Sequence, residues 1–164
     1  MKYIIHSDIE LYSSHGPLRV NQIYEAFMTK NLARDFKIAG FGPQGKELTS
    51  AVLDIKEVTC PTGYVVRVTA QGLSINDNLI FYPGQKFLDI VGKSVDIETV
   101  VPGDLLVSLN GMIRAEFVGE LEVQDDMQTF YIIEVNENMT TLYANNIVVF
   151  PIEEETKTDS FFTK

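Results

Sequence analysis

Short runs in which apolar and polar residues alternate fill most of the chain, and turn-forming residues separate them. Alternation places successive side chains on opposite faces of an extended strand, which is typical of a sheet with one buried face. Residues 9–13 show it, and the Gly16-Pro17 pair that follows is a turn signal because glycine permits positive φ and proline fixes φ. The same pattern predicts strands at 37–39, 51–58, 64–69, 72–75, 79–82, 104–109, 112–121, 130–135 and 142–149. The chain is therefore predicted to be mainly β.

The Asn110-Gly111 pair is the strongest hairpin signal, because a type I′ turn needs positive φ at both central residues. It lies between two strand-like runs, so those runs are predicted to pair. Further turns are predicted at 61–63, 71–72, 83–84 and 102–103.

One segment has a helical period instead. Between Arg19 and Asp35, apolar residues recur at spacings of three and four, which predicts an amphipathic helix. They are Val20, Ile23, Tyr24, Phe27, Met28 and Leu32. We interpret this stripe as core packing, with a partner-binding face as the alternative. The prediction is thus an all-β domain of short strands with one short amphipathic helix near the N-terminus.

Length and composition favour one soluble domain. The 164 residues are 45% hydrophobic and 22% charged, which suits a single globular core. The single Cys60 cannot form an intrachain disulfide. No apolar run approaches the ~20 residues of a membrane span, and the N-terminal apolar stretch is too short for a signal peptide. We therefore expect an intracellular, cytoplasmic protein with no membrane partner.

The charge is strongly acidic, with 13 basic and 23 acidic residues and a formal net charge of -10. Phosphate binding needs a basic surface, so no nucleic-acid partner is expected. The charge is interpreted as general solvation, while an acidic patch that meets a basic partner stays open.

Residues 40–47, Gly-Phe-Gly-Pro-Gln-Gly-Lys-Glu, nearly match the phosphate-loop pattern G-x-x-x-x-G-K-[ST]. Glu47 places a carboxylate where a hydroxyl should hold Mg²⁺, and a strand-like run follows where a helix is needed. The segment is interpreted as an ordinary glycine-rich loop.

Metal and cofactor sites have little support. His6, His15 and Cys60 cannot build the usual zinc ligand set unaided. Asp96 with Glu98, and Asp125-Asp126, could hold a hard cation, but no calcium-loop spacing surrounds them. No cofactor is predicted.

The most specific motif lies near the C-terminal end. Phe130-Tyr131-Ile132-Ile133-Glu134-Val135 is followed, after a short turn, by Leu142-Tyr143-Ala144-Asn145-Asn146-Ile147-Val148-Val149-Phe150-Pro151. This resembles the end of inteins and hedgehog autoprocessing domains, the Hint family, where V-Y-D-I-E-V leads to F-x-A-N-G-I-L-V-H-N. The family's last His and Asn are replaced here by Phe150 and Pro151. Proline lacks the side-chain amide that cyclises in the family's cleavage step.

The start of the chain is similar to the family's first motif. Asp8 falls at its acidic position, and Gly16 at its turn. The nucleophile position then falls on Ile4, whose side chain cannot attack a carbonyl.

Residues 72–81 resemble the family's second motif, G-x-x-I-x-x-T-x-x-H. Asn78 stands for the Thr and Phe81 for the His, and phenylalanine cannot transfer a proton. Residues 100–107, with Gly103-Asp104, resemble a further strand entry of the family. Between Pro83 and Val100 there is no room for a homing endonuclease.

The resemblance implies a Hint-like β domain at 1–151 followed by an acidic tail at 152–164. Because the family positions at Ile4, Asn78, Phe81, Phe150 and Pro151 are degenerate, we expect no catalytic residues and no enzyme activity. The chain also begins at its own Met1 and continues past Pro151, as a stand-alone protein would.

The expected role is therefore structural. We expect the chain to bind other proteins within an oligomeric assembly, such as the head or tail of a phage virion. The pair Phe161-Phe162 in the tail could dock on a neighbour.

Three alternatives remain. The chain could process itself with other residues, using Cys60 or Ser7 as nucleophile and His6 or His15 as base. It could be an unrelated β-rich domain. It could also bind a small ligand in the cleft left by the lost site.

Overall fold

The computed structural model describes residues 1–61, 63–70, 78–108, 111–117 and 126–152, without the side chains of 67–70, 78 and 111–117. The helix α1 spans Val20–Met28, and single 3-10 turns lie at Pro43–Gly45 and Ile97–Thr99. The predicted mainly-β fold is confirmed. In the described ranges the strands are β1 Lys2–His6, β2 Glu10–Ser13, β3 Gly16–Arg19, β4 Ile38–Phe41, β5 Glu47–Ser50, β6 Asp54–Cys60, β7 Tyr64–Ala70, β8 Asn78–Phe81, β9 Lys86–Leu88, β10 Ser94–Asp96, β11 Asp104–Ser108, β12 Gly111–Phe117, β13 Gln128–Glu134, β14 Thr141–Ala144 and β15 Ile147–Val149.

A three-stranded antiparallel sheet joins the start of the chain to its last third. Its order is β1-β13-β6, with Ile4 opposite Ile132 and Ile133 opposite Ile55. Tyr3, Ile5 and Ile133 are buried. Strands β1 and β13 are far apart in sequence, so their pairing fixes the N-terminus beside the C-terminal motif.

The larger sheet has the order β3-β2-β4-β14-β15-β11-β12-β7-β8, with β5 paired to β4, β9 to β15 and β10 to β9. Every pairing reported within the described residues is antiparallel. Residues of both sheets and of α1 share one buried core, including Leu11, Ile23, Leu106, Leu142 and Ile147. In the part of the chain that is described, no helix has the length and apolar character needed to cross a membrane.

The predicted single strand at 142–149 is wrong, because a hairpin divides it into β14 and β15. Asn145 and Asn146 form its turn with φ of 49° and 70°, and asparagine tolerates this left-handed region better than most residues. Asn145 Oδ1 also accepts the Glu10 N–H at 2.7 Å, which ties the hairpin to β2.

The predicted helix is confirmed but is shorter than 19–35. It ends after Met28, where Lys30 adopts φ of 60° and the Asn31 N–H reaches the Ala26 carbonyl at 2.8 Å. This is the bonding of a Schellman cap, with lysine in the place usually taken by glycine. Val20 and Ile23 are buried as predicted, whereas Met28 is 57% exposed.

The predicted pairing of the two runs that flank Asn110-Gly111 is confirmed, since β11 pairs with β12. The predicted turn position is wrong, because Gly111 lies within β12, opposite Ser108, and not at the centre of the turn. The predicted strand at 72–75 and the tail from 153 lie outside the described residues, and the predicted 51–58 strand starts later, as β6 at Asp54.

Candidate functional site: the Ile4 cleft

A cleft of about 360 Å³ opens between β1, the turn that joins β8 to β9, and the segment after β15. We call it the Ile4 cleft. Its lining consists of Ile4, residues 82–86 and residues 150–152. It therefore contains three of the five positions at which the sequence departs from the Hint motifs, namely Ile4, Phe150 and Pro151.

One wall is a tight turn that the sequence specifies locally. The Gln85 N–H bonds the Tyr82 carbonyl at 3.0 Å, and Gly84 has φ of 92°. Proline at the second position and a positive-φ glycine at the third are the residues a type II turn requires. The turn places Gln85 at the base of the cleft.

Buried Gln85 fixes the opposite wall. Its Nε2 donates to the Phe150 carbonyl at 3.0 Å and to the Lys86 carbonyl at 2.8 Å. An unpaired buried carboxamide would be costly, so these two bonds hold both its position and the course of the chain after β15.

The segment after β15 also bridges the two sheets. The Phe150 N–H donates to the Lys86 carbonyl at 3.0 Å, and the Ile152 N–H donates to the Lys2 carbonyl at 2.9 Å. Lys86 starts β9 in the larger sheet and Lys2 starts β1 in the smaller one. These backbone hydrogen bonds hold the segment around Pro151 beside the strand that contains Ile4. The positions that match the family's nucleophile and cyclising Asn are thus brought together.

The remaining two degenerate positions lie on β8. Phe81 does not line the cleft; it is buried and packs edge-to-face on Phe87, with ring centroids 4.9 Å apart. Asn78 begins β8 opposite Arg67, and its side chain is not described. Ile4 is 8% exposed. Ile4, Phe150 and Pro151 therefore line one cleft, whereas Phe81 packs in the adjacent core.

The cleft has few groups for chemistry. None of its described lining residues is Cys, Ser, Thr, His, Asp or Glu. Lys86 carries the one lining charge at neutral pH, and its ammonium lies 3.8 Å from Asp96. Such a lining can bind apolar groups, but it provides no aligned nucleophile and general base.

The histidines proposed as alternative bases have structural partners. The Asp8 N–H donates to His6 Nδ1 at 3.2 Å, so His6 Nε2 carries the proton and donates to Gln128 Oε1 at 3.0 Å. His15 Nε2 lies 3.4 Å from an Asp35 carboxylate oxygen, and its ring stacks on Phe36. Neither histidine belongs to the described cleft lining.

The alternative nucleophiles also lie away from the cleft. Cys60 is half-buried at the end of β6, opposite Gln128. The Ser7 N–H bonds the Thr129 carbonyl at 3.0 Å, just beyond β1. Neither residue belongs to the cleft lining.

Within the glycine-rich segment, residues 42–46 connect β4 to β5, and Phe41 lies opposite Glu47. A strand follows the connection in place of the helix that a phosphate loop needs. Within the described residues, no group of three or more His, Cys, Asp and Glu side chains could hold a metal ion. Asp125 lies outside the described residues.

The sequence alone missed Gln85 and Tyr82. The Pro83-Gly84 turn signal was visible, but the partner of Gln85 lies 65 residues away. No local pattern announces that contact.

No protein-family model matches the sequence, and no curated protein matches it. Solved structures do. A bacterial intein-like domain from Clostridium thermocellum is 15% identical, with a TM-score of 0.67 over 92% of this chain and 99% of the other. A DnaB intein from Synechocystis is 12% identical, with a TM-score of 0.65 over 93% and 100%. The transcription factor IIB Mvu mini-intein is 10% identical, with a TM-score of 0.65 over 89% and 99%. Since the alignments cover nearly the whole of each chain, this protein has the intein-like Hint fold.

Proposed function

We propose that the chain is a Hint-type domain without self-processing activity that serves as a structural and interaction protein. The observation that carries this proposal is the lining of the Ile4 cleft. Ile4, Phe150 and Pro151 occupy the positions that match the family's nucleophile, assisting His and cyclising Asn, and none of the lining residues that the structure describes is Asp, Glu, Ser, Thr, Cys or His.

The chain around Pro151 supports the same proposal. Pro151 has no side-chain amide that could attack its own carbonyl, and the Phe150 carbonyl, one residue earlier, accepts a hydrogen bond from Gln85. Gln85 on its own stabilises a carbonyl oxygen, but covalent cleavage also needs an attacking group aligned with it. Here the hydrogen bond acts as a structural clamp.

Intact mass spectrometry of the purified protein tests the proposal. The expected result is one species with the calculated full-chain mass, for the unsubstituted protein and for Cys60→Ala and Ser7→Ala alike. A shorter product that either substitution abolishes would overturn the proposal and support the self-processing alternative, which uses Cys60 or Ser7.

The proposed setting is an assembly such as a phage head or tail. Two features support it: the net charge of -10 keeps a small domain soluble before assembly, and β6 pairs only with β13 among the described strands. An edge strand with one partner can accept a strand from a neighbour. Peptides of this chain should be detected by mass spectrometry in gradient-purified particles, and their absence from the particles would contradict the virion setting.

A further inference from the structure

A second concavity, of about 500 Å³, lies on the outer face of the larger sheet, where β2, β4, β5 and β14 meet. We call it the aromatic hollow. Its lining includes Tyr12, Ala39, Glu47, Thr49 and Tyr143. The side chains therefore come from four strands and include two phenol rings and one carboxylate.

Strand alternation places these side chains outward. Along β4, Ile38 and Gly40 are buried, so Ala39 lies on the other face. Thr49 is directly opposite Ala39 on β5. Because alanine is the smallest outward side chain available, this position forms a floor below the level of its neighbours.

Two aromatic walls stand over this floor. The rings of Tyr12 and Tyr143 are nearly perpendicular, at 89°, with centroids 6.4 Å apart. Phe41 packs against Tyr143 at 5.0 Å. Tyr143 is 4% exposed and thus fixed, whereas Tyr12 is 39% exposed and presents ring surface to solvent.

The third wall carries negative charge. Glu47 is exposed on β5, opposite Phe41. None of the ion pairs among the described residues involves Glu47. Burial and, second, the charge of Glu47 raise the pKa of Tyr143, so the carboxylate is close enough to act on that ring.

We infer that the aromatic hollow binds the guanidinium group of an arginine on a partner protein. Electron-rich ring faces attract cations, and a guanidinium can stack on a ring while it bonds a carboxylate in its plane. The net charge of -10 favours a basic partner. This binding adds a partner chemistry to the interaction role proposed above and does not depend on whether the chain cleaves itself, so the two proposals can fail separately.

An NMR titration with a capped Gly-Arg-Gly peptide tests this inference on the full chain. Signals of Tyr12, Ala39 and Thr49 should shift, and a peptide with citrulline in place of arginine should leave them unchanged. Glu47→Gln and Tyr12→Leu should each weaken binding about two- to fivefold. Glu98→Gln, an exposed substitution on the 3-10 turn with the same change in net charge, should have no effect.

Ala39→Val should also reduce binding, because it raises the floor while suiting a strand. Equal binding of the citrulline peptide, or affinity unaffected by Glu47→Gln, would overturn the inference. So would shifts at Tyr12 and Thr49 that follow protein concentration without peptide, because a second copy would then occupy the hollow. Retained peptide-free spectra show that each variant is folded, so weakened binding cannot be ascribed to unfolding.

Discussion

The Ile4 cleft and the aromatic hollow are both open concavities of one small fold, but they use their polar groups in opposite ways. In the cleft, the Gln85 amide and the Phe150 and Ile152 N–H groups all bond backbone carbonyls of the same chain. In the hollow, Glu47 is exposed and belongs to none of the ion pairs of the described residues. Polar groups that are satisfied internally stabilise the fold, whereas a carboxylate beside exposed rings can contribute to recognition.

This contrast means that volume alone does not reveal which concavity recognises a partner. The cleft lies where the family's chemistry would take place, yet its hydrogen bonds join β1, β9 and the segment after β15. Substitutions around the cleft should therefore lower stability, and substitutions in the hollow should change binding with little effect on stability.

The largest effect is expected for Phe81→Ala, beside the cleft. Removing a buried ring that packs on Phe87 should lower the free energy of unfolding by about 3–5 kcal/mol, through lost transfer energy and a residual cavity. Urea denaturation measures this decrease in the free energy of unfolding. Tyr12→Ala in the hollow is the matched aromatic control, with an expected cost of about 1 kcal/mol or less; equal costs would contradict the contrast.

Gln85→Leu should cost about 1–3 kcal/mol, because the Phe150 and Lys86 carbonyls both lose their hydrogen bond from the buried Gln85 side chain. The control is Gln22→Leu, which removes one exposed hydrogen bond to the Arg19 N–H and should cost less. If Gln85→Leu left the urea midpoint unchanged, the clamp around residues 150–152 would not contribute to stability.

Tyr3, the neighbour of Ile4 on β1, adds a pH dependence. Burial raises the pKa of Tyr3, so the unfolded chain loses the phenol proton first as pH rises past ~10. Stability should be complete below that pH and should decline above it. Tyr3→Phe removes the 2.8 Å bond to the Met139 carbonyl, should cost about 1 kcal/mol at neutral pH, and should flatten the alkaline decline. Denaturation curves at several pH values would show an unchanged decline if Tyr3 were not its source.

The smallest effect is expected in the hollow. Glu47→Gln should change the free energy of unfolding by less than ~0.5 kcal/mol, because the side chain is exposed. It should lower the pKa of Tyr143 only part of the way towards its usual range, since burial, the larger cause, remains. Ultraviolet titration of the phenols measures this change, and an unaltered curve would place Glu47 too far from the ring for the binding inference.

Much of the fold could be predicted from the sequence because the strongest signals in the sequence were local. Alternation located most strands, and the run from Phe130 to Pro151 carried the resemblance that the structural comparisons confirm at the level of fold. The Asn145-Asn146 turn was missed, because the apolar residues on both sides of it favoured one continuous strand. The end of α1 was missed too, because Lys30 adopts positive φ without a glycine.

The two concavities could be predicted only in part. Motif positions pointed to Ile4, Phe150 and Pro151, but the Gln85 clamp depends on a contact across 65 residues. Tyr12 and Tyr143 meet because β2 and β14 pair, with Leu11 opposite Ala144, and no local pattern encodes that pairing. Phe81 shows the same limit: its identity was informative, but its packing on Phe87 follows from the tertiary fold.

The central claim is that the Ile4 cleft performs no self-processing, and a fusion with a stable, unrelated protein at each end tests it most directly. Intact mass spectrometry would follow the purified fusion over days at neutral pH, with and without a thiol, so that cleavage at either end or splicing would each give a distinct mass. We expect the full fusion mass alone under both conditions. A product cut before Ile4 or after Pro151, or a spliced product without the domain, would contradict it.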